Sequence, residues 1–414
     1  MEKHRVLMIV CDGMGDRADR AREFQTPLSV AKKPNIDALA REGSVGLIDP
    51  VAPGVRPGSD VAHLAILGYN PYEFYTGRGG LEAAGAGLRL GQGDVAFRSN
   101  FATVDAKMVV KDRRAGRRIE GRDELAKAVN EIRLSDPSVT FEFVPTVEHR
   151  AVMIMKGKGL SRKVSDTDPH IEGMPILRSM PEDEDQASKR TADILNEFTE
   201  KSYEALNEHA ANIERARQRL LPANIILSRG PGTLPPLEPL AQKYSIDAAC
   251  IAVAPIVRGI CRVAGMELVE VQGATGGLDT DFKAKVSAAV QAMKRHDLVF
   301  LHIKAADVAS HDGNFEKKTW VIERIDEAMA QVIQSVDLAN DYVLMTSDHA
   351  TPVTFRDHSA DPVPVLVAGP DFDVSQTVKF SERTAATGNL GRLLALHLMP
   401  IMMNRLGKVG KFGF

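Results

Sequence analysis

Four short apolar runs constrain the fold of this 414-residue chain more than any other feature of its sequence. The runs are RVLMIV at 5–10, LVFLHI at 298–303, YVLMT at 342–346 and VPVLVAG at 363–369. Each is almost continuously hydrophobic, which is typical of a strand that is covered on both faces of a parallel sheet. Segments with amphipathic helical spacing separate the last three runs. The alternation predicts an α/β fold with a doubly wound, mostly parallel sheet and right-handed crossovers.

The positions of these runs also predict a discontinuous domain. One run lies at the N-terminus and three lie in the last third of the chain, so the middle is expected to interrupt the sheet. The middle contains the basic run KDRRAGRR at 111–118, which we predict to be an exposed hairpin without a ligand. We therefore expect a first domain formed by 1–90 and 220–414, with a second, smaller α/β domain at 91–219 inserted into it.

Composition and charge argue against several classes of protein. Lys and Arg number 52 against 55 Asp and Glu, a net charge of −3, so a nucleic acid partner is not expected. The three cysteines form no CxxC pair, which argues against a disulfide framework and a thiolate metal site. The N-terminal run VLMIVC is far shorter than the ~20 apolar residues of a membrane span and lacks a signal-peptide cleavage region. We predict a cytoplasmic protein with no membrane partner.

The C-terminal apolar run LLALHLMPIMMNRLG has two interpretations. It packs either on the core of its own chain or on a partner subunit of a homo-oligomer. We favour the core, and the sequence leaves the oligomeric state open.

Aspartate and histidine side chains stand at the ends of the predicted strands. Carboxyl ends of strands in an open α/β sheet meet at one edge, where ligands bind. The residues are Asp12 after the first run, Asp307 and His311 after the second, Asp348 and His349 after the third, and His358 before the fourth. Such oxygen and nitrogen donors suit Zn, Mn or Mg. Six such ligands are more than one four-coordinate ion needs, so we predict two ions. Two neighbouring ions stabilise the attacking and leaving oxygens when a phosphoryl group is transferred.

Ser59 is the predicted nucleophile. It follows Pro57 and Gly58 and precedes DVAHLAILG, a helical pattern, so it is expected at a helix N-terminus, which favours anions. Alone it would be interpreted as a helix cap. Beside a metal pair its hydroxyl becomes an accessible nucleophile.

Long segments of the chain carry a family resemblance. They are CDGMGD, PGSDVAHL, GYNPYEFYTGRGGLEAAGAGL, FRSNFATVD, HRAVMIMKG, SDTDPH, GATGGLDTDF, HIKAADVASHDGN and TSDHATPVTFRDHSADPVPVL. In this order, and nearly end to end, they resemble the archaeal-type cofactor-independent phosphoglycerate mutases of the alkaline phosphatase superfamily. The resemblance implies an alkaline-phosphatase-like domain with an inserted transferase domain. One departure is VAS between Asp307 and His311, where an acidic residue and a glycine are expected.

The resemblance also implies how the ligands are divided. Asp307, His311 and His358 would hold one divalent ion, and Asp12, Ser59, Asp348 and His349 would hold the other. Mn or Mg is expected first, with Zn or Co as alternatives, and no 2,3-bisphosphoglycerate is needed.

The implied reaction interconverts 3-phosphoglycerate and 2-phosphoglycerate, as in glycolysis, through a phosphoserine at Ser59. Cationic side chains would bind this small-molecule substrate, since arginine suits planar anions; they are Arg98, His149, Arg150 and Arg258. Asp166 or Asp168 would be the general base for the 2-hydroxyl. A metal-dependent phosphohydrolase or another phosphomutase on the same core is the alternative, because the metal site does not choose the acceptor.

Overall fold

A computed structural model describes residues 4–374, 379–411 and 413 of the chain. In chain order the strands are β1 Val6–Cys11, β2 Gly43–Asp49, β3 Val95–Val104, β4 Val110–Asp112, β5 Thr140–Pro145, β6 Arg150–Lys156, β7 Ile225–Gly232, β8 Ala248–Ile251, β9 Glu267–Leu268, β10 Leu298–Ile303, β11 Tyr342–Thr346, β12 Val363–Ala368 and β13 Gly391–Leu394. The helices are α1 Pro27–Val30, α2 Pro34–Arg41, α3 Ser59–Ile66, α4 Pro71–Phe74, α5 Arg78–Gly85, α6 Arg122–Asn130, α7 Gln186–Asn207, α8 Ala210–Arg217, α9 Leu240–Tyr244, α10 Pro255–Val263, α11 Phe282–Met293, α12 Ala305–His311, α13 Phe315–Ser335, α14 Glu382–Ala385 and α15 Leu398–Arg405. No helix in these described ranges has both the length and the apolar character to cross a membrane.

The chain forms two compact units. The first consists of Met1–Tyr75 and Pro236–Phe414, and the second of Thr76–Pro235. The range predicted for the inserted domain, 91–219, lies inside this second unit. The second unit is wider because it also holds α5 and β7, both of which pack against β3.

The first unit is built on an eight-stranded sheet in the order β13-β2-β12-β11-β1-β10-β8-β9. Every side chain of β1, β10, β11 and β12 is buried, which is why these strands are continuously apolar. The amphipathic segments after 280 and 320 form α11 and α13, which pack against each other and share one hydrophobic cluster with the sheet. The mostly parallel α/β fold predicted from the sequence is confirmed.

The run at 363–369 departs from the prediction of a parallel strand, because β12 is antiparallel to both β11 and β2. A parallel partner for β11 would require a crossover, usually a helix. Residues 347–362 contain no helix, so the chain turns back into the sheet from the edge at which β11 ends. His358, which precedes β12, therefore lies at the same edge as the residues that follow β1, β10 and β11.

Strands β2, β8, β9 and β13 were missed in the sequence. They are short or interrupted by glycine, as in GSVGLID, so no long apolar run marks them.

The second unit contains a five-stranded antiparallel sheet in the order β4-β3-β6-β5, with β7 as a further partner of β3. Its hydrophobic cluster includes the edge-to-face pair of Phe101 with Phe143, and the partly buried Phe141 packs against it edge-to-face with Phe198. Helix α5 lies close to β3 and β7 because two of its three glycines, Gly79 and Gly80, leave no room for a Cβ atom.

The apolar C-terminal run packs within the first unit. Leu398, Met399, Met402 and Met403 of α15 are buried, and Met399 packs so near Gly68 that a Cβ atom there would lie 2.9 Å from Cβ of Met399. Among the two interpretations of this run, the structure therefore favours the core.

The close packing of α5 on β3 gives a testable prediction. A Cβ atom at Gly79 would lie 1.9 Å from the backbone oxygen of Ala96, which no side-chain movement can relieve. We expect Gly79→Ala to lower the free energy of unfolding by about 1–3 kcal/mol, the usual cost of overpacking. Gly276→Ala is the control, since a Cβ there meets nothing within 4 Å. Equal denaturation midpoints for the two variants would contradict the prediction.

Candidate active site

The carboxyl edge of the first unit's sheet collects all seven predicted metal-site residues. They are Asp12 after β1, Ser59 at the start of α3, Asp307 and His311 on α12, Asp348 and His349 after β11, and His358 before β12. Strand register explains the convergence, because β1 pairs in parallel with both β10 and β11 and all three strands end at this edge.

Three of these residues form a buried group around Ser59. One donor atom from each of Asp12, Asp348 and His349 lies within 4.8 Å of the others. The Nε2 atom of His349 is 3.2 Å from the Ser59 hydroxyl and 3.2 Å from Oδ2 of Asp348. Nε2 of His349 is also 3.5 Å from Oδ1 of Asp12, and all four residues are buried, so the serine hydroxyl and two carboxylates surround one imidazole nitrogen in a site with little access to water.

The oxygens of this group suit a divalent cation. Asp12 Oδ1 and Asp348 Oδ2 are buried, and neither has a hydrogen-bond partner among the described residues. Burial by itself raises the pKa of Asp348, but the adjacent His349 outweighs it and holds the pKa well below its usual range. A buried anionic oxygen without a donor is costly unless a cation compensates it. Carboxylate and imidazole donors fit Mn, Mg, Zn or Co.

A second group surrounds Asp307. His311 lies one helical turn further along α12, and its Nε2 is 3.2 Å from Oδ1 of Asp307. His358 Nε2 is 3.7 Å from the same oxygen. Its ring stacks on that of His349 at 3.5 Å between centroids, so His349 lies between the two groups. Asp307 raises the pKa of His311 to about 9.

Thr351 connects the two groups through its hydroxyl. The hydroxyl donates to Oδ1 of Asp307 at 3.2 Å and lies 3.0 Å from Nδ1 of His349. Because the hydroxyl proton is directed to Asp307, Nδ1 of His349 is assigned as the donor to Thr351. In the neutral ring the lone pair of His349 Nε2 then faces Ser59, Asp12 and Asp348, as a metal ligand requires, whereas the protonated ring carries a proton there and lowers the pKa of Asp348.

Several residues of the site escaped the sequence analysis. Lys304 donates to Oδ2 of Asp12 at 3.0 Å and to Oδ2 of Asp307 at 2.7 Å, and so bridges the two groups. Burial lowers the pKa of Lys304, but these two carboxylates outweigh it and hold the pKa above its usual value. His302 Nε2 is 3.1 Å from Asp12 Oδ2. A signal existed for both, since His302 is the polar residue inside the run LVFLHI and Lys304 directly follows it.

Two further residues were also missed. His63 lies one turn beyond Ser59 on α3, donates from Nδ1 to the Ser59 carbonyl at 2.6 Å, and lies 3.6 Å from Asp348 Oδ2. Asp357 forms a more exposed group with His311 and His358, with donor atoms within 4.8 Å of one another. The sequence contained a signal for His63, because a residue four positions after Ser59 lies on the same face of a helix. It contained none for Asp357, which looks like an ordinary loop residue.

The second unit holds a separate cleft of about 300 Å³ with a basic lining. Its lining residues are Asn100, Arg113, Arg114, Arg117, Glu148, His149, Arg150, Glu172 and Arg229. Two of the predicted substrate residues, His149 and Arg150, are therefore in it. Three arginines of the run KDRRAGRR, which was predicted to be an exposed hairpin without a ligand, line it as well.

The charges of this cleft are only partly compensated. Arg113 forms a bidentate pair with Asp168 at 2.8 and 2.6 Å, and Arg117 pairs with Glu148 at 2.9 Å. Within the described ranges, Arg114 and Arg150 have no ion-pair partner within 4.0 Å. The cleft is consequently suited to an anion.

The remaining predicted residues lie near this cleft or elsewhere. Asp168 accepts the Arg113 pair and is fully buried, while Asp166 accepts from the Gly230 backbone at 2.8 Å and lies 2.9 Å from His170 Nε2. Arg98 on β3 stands opposite Arg229 on β7, and burial lowers the pKa of Arg98 to about 9. Burial, with Arg150 second, lowers the pKa of His149 to about 4, so its ring is neutral.

Arg258 is the one predicted substrate residue that belongs to the first unit. It lies on α10, pairs with Glu270, and donates to the carbonyl of Ala252 at 3.2 Å beyond the end of β8.

Comparison with known proteins identifies the family. A family model described as 2,3-bisphosphoglycerate-independent phosphoglycerate mutase matches residues 40–212. A mutase of that name from Methanocaldococcus jannaschii is 44% identical over 414 residues, which is 100% of both chains. One from Methanopyrus kandleri is 46% identical over 417 residues, 99% of this chain and 98% of the relative.

Two solved structures are similar over nearly the whole chain. A protein from Pyrococcus horikoshii has a TM-score of 0.85 and 34% identity, with 100% of both chains covered. A cofactor-independent phosphoglycerate mutase from Thermoplasma acidophilum has a TM-score of 0.71 and 33% identity, with 98% of this chain and 100% of that chain covered. With identity above 40% over the full length of curated relatives, the chain belongs to the family of 2,3-bisphosphoglycerate-independent phosphoglycerate mutases.

Proposed function

We propose that this chain interconverts 3-phosphoglycerate and 2-phosphoglycerate without 2,3-bisphosphoglycerate, through a phosphoserine at Ser59. The single observation that supports it best is the position of the Ser59 hydroxyl, 3.2 Å from His349 Nε2, the atom that also lies 3.5 Å from Asp12 Oδ1 and 3.2 Å from Asp348 Oδ2. Membership of the mutase family supplies the reaction, and this geometry supplies a nucleophile for it.

The ligand division that the family resemblance implies is compatible with the two groups at the sheet edge. Asp12, Ser59, Asp348 and His349 would hold one divalent ion, and Asp307, His311 and His358 the other. Bound there, Mn or Mg would neutralise phosphoryl oxygens and lower the pKa of the Ser59 hydroxyl. Oxygen and nitrogen donors also accept Zn and Co.

The chain's own residues account for the two transfers. Oγ of Ser59 attacks phosphorus, the bond from phosphorus to the 3-oxygen breaks, and the glycerate stays bound. The 2-oxygen then attacks the phosphoserine, the bond from phosphorus to Oγ breaks, and 2-phosphoglycerate forms. Ser59 is the first residue of α3, so the backbone N–H groups of that helix turn favour the transferring phosphoryl group.

Two roles remain for the second unit. Its basic cleft binds the substrate's anionic groups, chiefly through Arg114 and Arg150, whose charges lack ion-pair partners in the part of the chain that the structure describes. The general base for the 2-hydroxyl is Asp166 rather than Asp168. Both oxygens of Asp168 accept from the Arg113 guanidinium, and although burial raises the pKa of Asp168, this pair leaves it below its usual value. A carboxylate held in this way is a weak proton acceptor.

The location of the protein belongs to the same proposal. A cytoplasmic enzyme fits a chain with three buried free cysteines, because a reducing compartment keeps thiols unpaired.

An assay with 3-phosphoglycerate and Mn²⁺ tests the proposed reaction. We expect 2-phosphoglycerate to form in the absence of 2,3-bisphosphoglycerate, with little inorganic phosphate, because a mutase returns the phosphoryl group to glycerate. Both products are measured from the same reaction. Release of inorganic phosphate without 2-phosphoglycerate would assign the site to a phosphohydrolase instead.

Replacement of the nucleophile gives a second prediction. Ser59→Ala should lower kcat by about 10⁴-fold or more, since the loss of a nucleophile removes the covalent step. Fold and metal binding should be largely retained, as measured by circular dichroism and Mn²⁺ titration. Ser287→Ala, on α11 away from the site, is the control. Rapid quench of the native protein should yield phosphoserine at residue 59, and phosphate found on a histidine instead would rule out this mechanism.

The basic cleft gives a third prediction. Arg114→Met should lower kcat/KM for phosphoglycerate about 10- to 150-fold, the range expected for a lost hydrogen bond between charged groups. Arg118→Met is the matched control, because Arg118 is exposed in the same basic run but does not line the cleft. Equal kinetics for both variants would support the original interpretation of this run as a loop without a ligand.

A further inference from the structure

A buried lysine outside both ligand groups joins the loops that carry them. Lys318 lies in the first turns of α13 and is fully buried. Its ammonium group donates to the Gly15 carbonyl at 2.9 Å, to Oδ2 of Asp16 at 2.8 Å and to the Thr351 carbonyl at 3.0 Å. A lysine has three N–H donors, so all of them are used.

The acceptors belong to the two loops that follow β1 and β11. Gly15 and Asp16 come directly after the CDGM segment that contains Asp12, and Thr351 comes two residues after His349. Lys318 contacts none of the seven predicted ligands by a hydrogen bond or an ion pair that the described residues show. It acts on the backbone that carries them.

The same two loops are bonded to each other around this lysine. The Thr351 N–H donates to the Gly15 carbonyl at 3.0 Å, and the Val353 N–H donates to Oδ2 of Asp16 at 3.2 Å. Met14 and Gly15 also form β-bridges with Ala350. Lys318 therefore closes a small hydrogen-bonded network that fixes the distance between the Asp12 loop and the Asp348–His349 loop.

Thr351 extends the network to the second ligand group. Its carbonyl accepts from Lys318, and its hydroxyl lies between Nδ1 of His349 and Oδ1 of Asp307. A shift of the Thr351 backbone would thus move the hydroxyl that orients His349 and contacts Asp307.

We propose that Lys318 is a positioning residue that sets the divalent-metal affinity of the site by fixing the Asp12 loop against the Asp348–His349 loop. This inference rests on the proposed function only for the identity of the metal ligands. A neutral side chain of similar length fills the same space but donates no hydrogen bond, so the two loops would be joined by fewer bonds and their separation would be less strictly fixed.

The test compares two buried lysine–aspartate pairs of the first unit. Lys318→Met combined with Asp16→Asn removes the network without stranding a buried carboxylate. Lys33→Met combined with Asp37→Asn is the matched control, because Lys33 is also buried and lies 3.0 Å from Asp37. Each full-length variant is stripped with a chelator and titrated with Mn²⁺ by calorimetry, well below its Tm.

We expect the Lys318 double variant to bind Mn²⁺ about 10- to 100-fold more weakly than the native chain, the usual effect of losing a residue that supports metal ligands. The control should keep the native Kd even where its Tm falls. Lys318→Gln with Asp16→Asn retains an N–H donor, and its Kd should lie between those of the native chain and the methionine variant. The Mn²⁺ concentration for half-maximal mutase activity should rise with Kd.

An unchanged Kd in both Lys318 variants, with only a lower Tm, would overturn the proposal and leave Lys318 a purely structural residue. The titration is independent of turnover. A native chain that binds Mn²⁺ but makes no 2-phosphoglycerate would reject the proposed function alone, whereas mutase activity with unchanged Mn²⁺ affinity in the variants would reject the role of Lys318 alone.

Discussion

The burial of carboxylates at the carboxyl edge of a parallel sheet is the constraint on which the first unit depends. Asp12, Asp307 and Asp348 are almost completely buried, and Asp12 and Asp348 each keep one oxygen without a donor in the described part of the chain. Carboxylates in this setting destabilise the fold unless cationic or hydrogen-bonding groups are held against them. Some of these partners are present, namely Lys304, His302 and His349. The strands to which the loops are attached keep the carboxylates from turning toward water.

This arrangement explains why the adjoining strands are so apolar. Fully buried strands with rigid registers, such as β1 between β10 and β11, fix where their last residues end. The polar residues beyond those ends then share one position in space although they are about 290 to 340 residues apart in the chain. The buried strands thus stabilise the fold enough to offset the cost of the buried charges, and they also hold the charged side chains close to one another.

The second unit also holds charges that are only partly compensated, but these charges are positive. Several arginines project from neighbouring antiparallel strands and a loop, and only some of them have carboxylate partners. Mutual repulsion and burial lower the pKa of Arg98 to about 9, with burial the larger cause. An anionic substrate would relieve this repulsion. The arginines without carboxylate partners are therefore better candidates for anion binding than the paired ones.

The sequence by itself determined the α/β class, the buried strands and the set of aspartates and histidines at their ends, because burial on both faces leaves a continuous apolar run and polar residues beyond it stand out. It did not determine the direction of β12, the extent of the second unit, or the roles of Lys304, Thr351 and Lys318. Those depend on which segments meet in space. The antiparallel return of β12 follows from a connection without a helix, and each of the three side chains bonds at least one partner more than 30 residues away in the chain. Local periodicity records which faces are buried, whereas long-range contacts, which only the tertiary structure decides, fix which polar atoms share a site.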